Sequence, residues 1–180
     1  MGRIILMLLL CSIFWYCEVF PLTVGAQVGY KHVVDDDVTY QLSTSFFALK
    51  GKNGARFFFR TNRVYTESAD MLRYHEAVSA GYPVMEYYTN SRVAGLEYLL
   101  RITGEDTRGW YLSVGAGAEW RSEMARFNIA GYSKYIEKDS TATMMGTVGI
   151  MRSNKTYNWG IVYDTAPQGV TAYVGFAVEW

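Results

Sequence analysis

Only two histidines, His32 and His75, are available as neutral-pH bases in this chain. A histidine beside carboxylates can activate a serine for acyl transfer or hydrolysis, provided the fold brings the two together. His32 precedes Asp35, Asp36 and Asp37, but no serine is fixed near it by sequence spacing. His75 lies among Arg73, Tyr74 and Glu76, in a stretch that reads as a solvated loop. The three aspartates also raise the question of calcium, which needs six or more oxygen ligands drawn from several places; a run of three reads first as a solvated turn. Both cysteines, Cys11 and Cys17, fall in the leading apolar region, so neither a disulfide nor a cysteine-ligated metal is expected further on. The reading is therefore of no catalytic, cofactor or metal site.

The remaining ionisable residues are placed by strand periodicity. Val170, Ala172, Val174, Phe176, Val178 and Trp180 alternate with Thr171, Tyr173, Gly175, Ala177 and Glu179. Trp110, Leu112, Val114, Ala116, Ala118 and Trp120 alternate with Tyr111, Ser113, Gly115, Gly117, Glu119 and Arg121. Tyr157, Trp159, Ile161 and Tyr163 alternate with Asn158, Gly160, Val162 and Asp164. One face is apolar and bounded by aromatics, and the other mixes glycine with charge. That arrangement predicts an inside-out barrel, with a lipid-facing band outside and Glu97, Arg101, Glu119, Arg121, Asp164 and Glu179 pointing inward, joined by Arg56 and Arg60. In an eight-stranded barrel such charges fill the lumen as mutually paired groups, which argues against a substrate pore. Tyr87, Tyr88, Trp110 and Trp159 are expected in the interfacial girdles.

Eight strands are expected: Gln27 to Val34, Val38 to Leu49, Ala55 to Tyr65, Val84 to Ile102, Gly109 to Arg121, Thr141 to Arg152, Tyr157 to Thr165 and Gly169 to Trp180. The turns Lys50 to Gly54, Thr103 to Arg108 and Ser153 to Thr156 are short and fall on one end of the barrel. The longest connections, Thr66 to Pro83 and Ser122 to Ser140, fall on the other, with the short ones at Asp35–Asp37 and Ala166–Gln168. An even strand count requires this alternation. Phe127, Ile129, Tyr132 and Tyr135 mark a hairpin inside Ser122 to Ser140; were it part of the wall, the count would be ten.

Ahead of the strands, Arg3 and the apolar run Ile4 to Tyr16 read as the n- and h-regions of a secretory signal peptide, interrupted by Glu18 and Pro21 before a spanning helix is complete. Val24 and Ala26 place small residues at −3 and −1 before Gln27. The expected organisation is a signal peptide over 1–26 and one all-β barrel domain over 27–180. The formal net charge is zero, so nothing points to nucleic acid.

Tyr173, Gly175, Val178 and Trp180 fit the C-terminal signal by which outer-membrane barrels are recognised for insertion. With this ending, and with the strand Gly109-Trp110-Tyr111-Leu112-Ser113-Val114-Gly115-Ala116-Gly117, the chain resembles the small outer-membrane barrels of the OmpX/Ail type and the broad outer membrane protein beta-barrel domain group. The resemblance implies a closed antiparallel up-and-down transmembrane barrel in a Gram-negative outer membrane. It also implies contact with outer-membrane lipids and lipopolysaccharide, assembly by the barrel-assembly machinery, and a non-enzymatic role in surface contact, adhesion or envelope structure through the outer loops. Two alternatives stay open: a lipid-modifying enzyme of the lipid A acyltransferase or deacylase type using His32, and a periplasmic lipocalin-like barrel with an apolar lumen.

Overall fold

The computed structural model describes residues 22–34, 40–62, 73–154 and 156–179. Its eight strands are β1 (Leu22–Val33), β2 (Tyr40–Lys50), β3 (Asn53–Thr61), β4 (Val84–Glu105), β5 (Arg108–Ile129), β6 (Tyr132–Ser153), β7 (Tyr157–Thr165) and β8 (Gln168–Glu179), with one short helix, α1 (Tyr74–Ser79), between β3 and β4. Each strand pairs antiparallel with its sequence neighbour, and β8 returns to β1, closing the ring. Closure removes both open sheet edges, which is what makes an isolated eight-stranded wall stable against further pairing. No helix among the described residues is long and apolar enough to cross a membrane, which has no bearing on strands.

The residue alternation sets the two faces. Along β8, Gly169, Thr171, Tyr173, Gly175 and Ala177 are buried, while Val170, Ala172, Val174, Phe176 and Val178 are exposed. The same inversion runs around the ring: Val28, Leu42, Phe46, Phe57, Leu96, Val114 and Val148 all face outward, and Arg56, Arg60 and Glu97 are fully enclosed. An apolar exterior around a charged interior is the reverse of a soluble barrel, and the apolar lumen of the lipocalin alternative is not what the wall encloses. At the short-turn end the exterior carries Trp110 edge-on to Trp159 at 5.1 Å between centroids. At the opposite end Tyr30 stacks on Tyr40 at 6.0 Å. The twelve-residue β8, at about 3.3 Å per residue and a tilt near 40°, rises about 30 Å, enough to hold an apolar band roughly 25 Å tall.

Several expected boundaries move. β1 begins at Leu22, five residues before Gln27. The stretch Ser122 to Ser140 is not a loop: β5 and β6 run straight through it as 22-residue strands and join at Ala130-Gly131, where both residues have positive φ. That is the signature of a two-residue hairpin turn whose twist matches the strands it connects. The count stays at eight because this hairpin lengthens two wall strands rather than adding two. α1 was not anticipated. The segment 63–72 and the aspartates at 35–37 lie outside the described residues, as does Trp180.

Candidate functional site

The lumen is the first place where chemistry could reside. Arg56 on β3 donates from Nε to Glu97 Oε2 at 2.9 Å, and its Nη2 makes a second, short contact to the same oxygen. Its Nη1 also donates to Gln27 Oε1 at 3.2 Å. Arg60, one inward position above Phe58, places Nη1 2.7 Å from Asp164 Oδ2, donates from Nη2 to the Tyr173 hydroxyl at 2.6 Å, and lies 4.0 Å from Glu97 Oε1. Lys31 completes the group, 3.1 Å from Asp164 Oδ2 and 2.5 Å from the Pro167 carbonyl. The Tyr173 ring packs under the Arg56 guanidinium at 4.6 Å, and Phe58 under that of Arg60 at 4.1 Å.

Among the described residues three cations, Lys31, Arg56 and Arg60, thus share the buried interior with three carboxylates: Glu97 and Asp164 touch them directly, and Glu119 accepts from Ser91. A buried charge without a partner costs several kcal/mol, so equal numbers and direct contacts are what such an interior requires. Amides and hydroxyls fill the gaps: Gln27 donates to Asn158 Oδ1 at 2.6 Å and accepts from Ser45 at 2.9 Å, and Gln41 donates to Ser91 at 2.7 Å. Toward the short-turn end the lumen holds an apolar layer of Phe47, Leu49, Leu99, Tyr111, Met151 and Ala177. The arrangement suits holding a wall in register.

Of the residues placed inward by alternation, Glu97, Glu119, Asp164, Arg56 and Arg60 do meet in the lumen. Arg101 and Glu179 sit instead at the short-turn rim, Arg101 donating to the Asp106 carbonyl and Glu179 lying 3.4 Å from Arg108. Arg121 is half-buried near the opposite mouth. Lys31 was missed, although its phase with Gln27 and Gly29 in β1 carried the signal. His32 points outward between Tyr40 and Val170, its cross-strand partners, neither of them a serine. His75 is exposed on α1, its ring 5.8 Å from that of Tyr74. Among the described residues no group of three or more His, Cys, Asp and Glu is placed to hold a metal ion.

The second candidate is the part of β4, β5 and β6 that rises past the other strands. From the row Ser91, Arg121 and Thr141 to the turn at Ala130, the sheet projects about 20 Å beyond the barrel mouth. Ala125 and Phe127 keep the phase of Glu119 and Arg121, so they face the side of the barrel axis. There α1 lays Ala77 against Ala125, Phe127 and Ile136, with Tyr74, Val84 and Ile129 around them. This is a small hydrophobic core separate from the lumen. The Arg73 backbone N–H donates to Glu76 at 3.0 Å, a contact that fixes the start of the helix.

Tyr87 and Tyr88 belong to this lobe, four and three rows above the Ser91–Arg121 row on a strand that begins six rows above it. They point to opposite faces. Tyr87 meets the Tyr74 hydroxyl at 3.2 Å and lies under Lys138, which itself pairs with Glu123 at 2.8 Å. On the other face Tyr88 donates to Glu86 and packs against Tyr135 at 5.9 Å, with Arg126 3.6 Å from Glu86. The hydrogen bond to Glu86 holds the Tyr88 hydroxyl above its ordinary pKa, and the one to Glu123 does the same for the Lys138 ammonium. The lobe therefore exposes tyrosines whose hydroxyls are oriented by neighbouring charges.

No protein-family model matches the chain, and no characterised relative matches its sequence. Among solved structures it is similar to Ail, the attachment invasion locus protein of Yersinia pestis, at 12% identity and a TM-score of 0.47, over 90% of this chain and 99% of that one. It is also similar to Neisserial surface protein A, at 8% identity and a TM-score of 0.34, over 89% and 95%.

Proposed function

We propose that this chain is an integral outer-membrane barrel without catalytic activity, acting in surface contact or envelope structure through the lobe built by α1 and the far ends of β4, β5 and β6. One observation carries the reading: the apolar side chains face out and the paired charges fill the lumen, so among the described residues the lobe is the surface left to carry specific chemistry. The belt between the Tyr30–Tyr40 and Trp110–Trp159 pairs would be solvated by lipid, with lipopolysaccharide around the lobe end. Export would follow from the leading apolar segment, and insertion from recognition of Tyr173, Gly175, Val178 and Trp180 by the barrel-assembly machinery. In the folded barrel Tyr173 is a lumen residue and Val178 a lipid-face residue.

The reading is tested by fractionating producing cells and comparing electrophoretic mobility of the membrane fraction with and without boiling. A heat-modifiable band in the outer membrane is expected; recovery as a soluble periplasmic protein would overturn it. Removing residues 73–83 and 124–137 together is then expected to leave the heat-modifiable band and to abolish surface attachment or envelope resistance. Cells that keep both would show that the lobe is not the working part.

A further inference from the structure

We infer that Leu22–Ala26 remain in the mature barrel, so that any leader removed on export is cut before Leu22 and not at Ala26–Gln27. The inference rests on the export reading above, and its test separates the two. Leu22 to Ala26 are paired on both sides: Leu22 to Ala26 with Lys50 to Phe46 of β2, and Thr23 to Ala26 with Glu179 to Phe176 of β8. Hydrolysis of the Ala26–Gln27 bond would leave β1 with seven of its twelve residues. Those seven rise only about 18 Å at 3.3 Å per residue and a 40° tilt, well short of a band roughly 25 Å tall. The short-turn half of the ring would then open between β2 and β8, exposing unpaired backbone to hydrocarbon, where each such group costs several kcal/mol.

The side chains of the segment also keep the barrel's alternation without a break. Thr23 is enclosed and donates to the Thr107 hydroxyl at 2.7 Å, closing the lumen at the turn between β4 and β5. Val24 and Ala26 face out with Val28 and Tyr30. Gly25 is small because a Cβ there would stand 2.4 Å from the Phe47 ring, and Gly175 is small because one there would stand 2.1 Å from the Ala26 carbonyl. Packing thus accounts for the small residue at Gly25, while Val24 and Ala26, at the −3 and −1 places, continue the outward face. Upstream, Ser12 within the apolar run and Cys17 just after it offer small side chains.

The test is the N-terminal residue of the full-length expression product, identified by intact mass and terminal sequencing from whichever fraction holds the protein. An N-terminus at or before Leu22 is expected, and one at Gln27 overturns the inference even if the protein is a heat-modifiable outer-membrane barrel. Ala26→Leu gives a second readout, since a bulky residue at −1 blocks signal peptidase but is tolerated on a lipid face. Processing and yield equal to the parent are expected; accumulation of uncleaved precursor would overturn the inference. Appearance of the protein in the soluble periplasm would defeat the membrane reading, while the terminal residue would still decide the fate of 22–26.

Discussion

Arg56 and Glu97 are direct cross-strand partners on β3 and β4, both wholly enclosed, with the guanidinium Nε 2.9 Å from the carboxylate. Glu97 also lies within 4.0 Å of Arg60, so one carboxylate compensates two cations. Glu97→Ala is expected to destabilise the barrel by about 3–5 kcal/mol, because it strands buried charge and does not merely lose an attraction. Replacing the pair together, Arg56→Met with Glu97→Leu, is expected to restore most of that loss. Urea unfolding in detergent micelles, followed by the heat-modifiable band, reads both; an unchanged midpoint for Glu97→Ala would show that the pair does not hold the wall.

Val28 lies at mid-height on the exterior, between Thr44 and Val174, and is 60% exposed. Val28→Arg is expected to cost about 2–4 kcal/mol in a bilayer, whereas Val28→Leu should fall within about 0.5 kcal/mol of the parent. Equal stability of the two in lipid vesicles would mean that this face meets water.

Phe127 is fully enclosed against α1, and Phe127→Ala should weaken that core by about 3 kcal/mol. Because the lobe core is separate from the lumen, the expected outcome is local. Limited proteolysis should cut within 73–88 while the boiled and unboiled bands remain those of the parent. Loss of heat modifiability would show that lobe and barrel fold as one unit.

Tyr88 should ionise above the ordinary tyrosine value of 10.0, chiefly because its hydroxyl donates to Glu86. A raised folded-state pKa means the folded lobe favours the neutral phenol. Its stabilising contribution is present below the ordinary value and is lost as pH rises through the folded one. Alkaline difference absorbance between the parent and Tyr88→Phe is expected to show the late titration, and Glu86→Gln to return it toward 10. A Tyr88 signal already complete at the ordinary value would remove the contact.

Much of this was legible along the chain, because a strand's period of two assigns every other residue to one face. Val170 to Val178 and Tyr157 to Asp164 could be sorted into outer and lumen sides without knowing their partners. What failed was the placement of ends. Nothing local separates a strand leaving the barrel from a loop, so Ser122 to Ser140 read as a connection, although the hairpin expected inside it is there. Its apolar residues Phe127 and Ile136 become intelligible only against α1. Tyr87 and Tyr88 were misplaced for the same reason: an aromatic at a strand end looks like a girdle residue until the register shows how far above the mouth it lies.

The sequence by itself determined the class of the wall and the inversion of polarity, since these follow from the pleat and from which side chains share a face, and it left eight or ten strands open. It also nominated Glu97, Glu119, Asp164, Arg56 and Arg60 for the interior. Only the tertiary structure decided which of these meet, that Lys31 joins them, and that three strands outgrow the ring to form a second core. Those outcomes depend on register between segments far apart in the chain, such as Arg60 with Tyr173 and Thr23 with Thr107. A shift of one residue in any pairing would turn every one of those contacts to the other face.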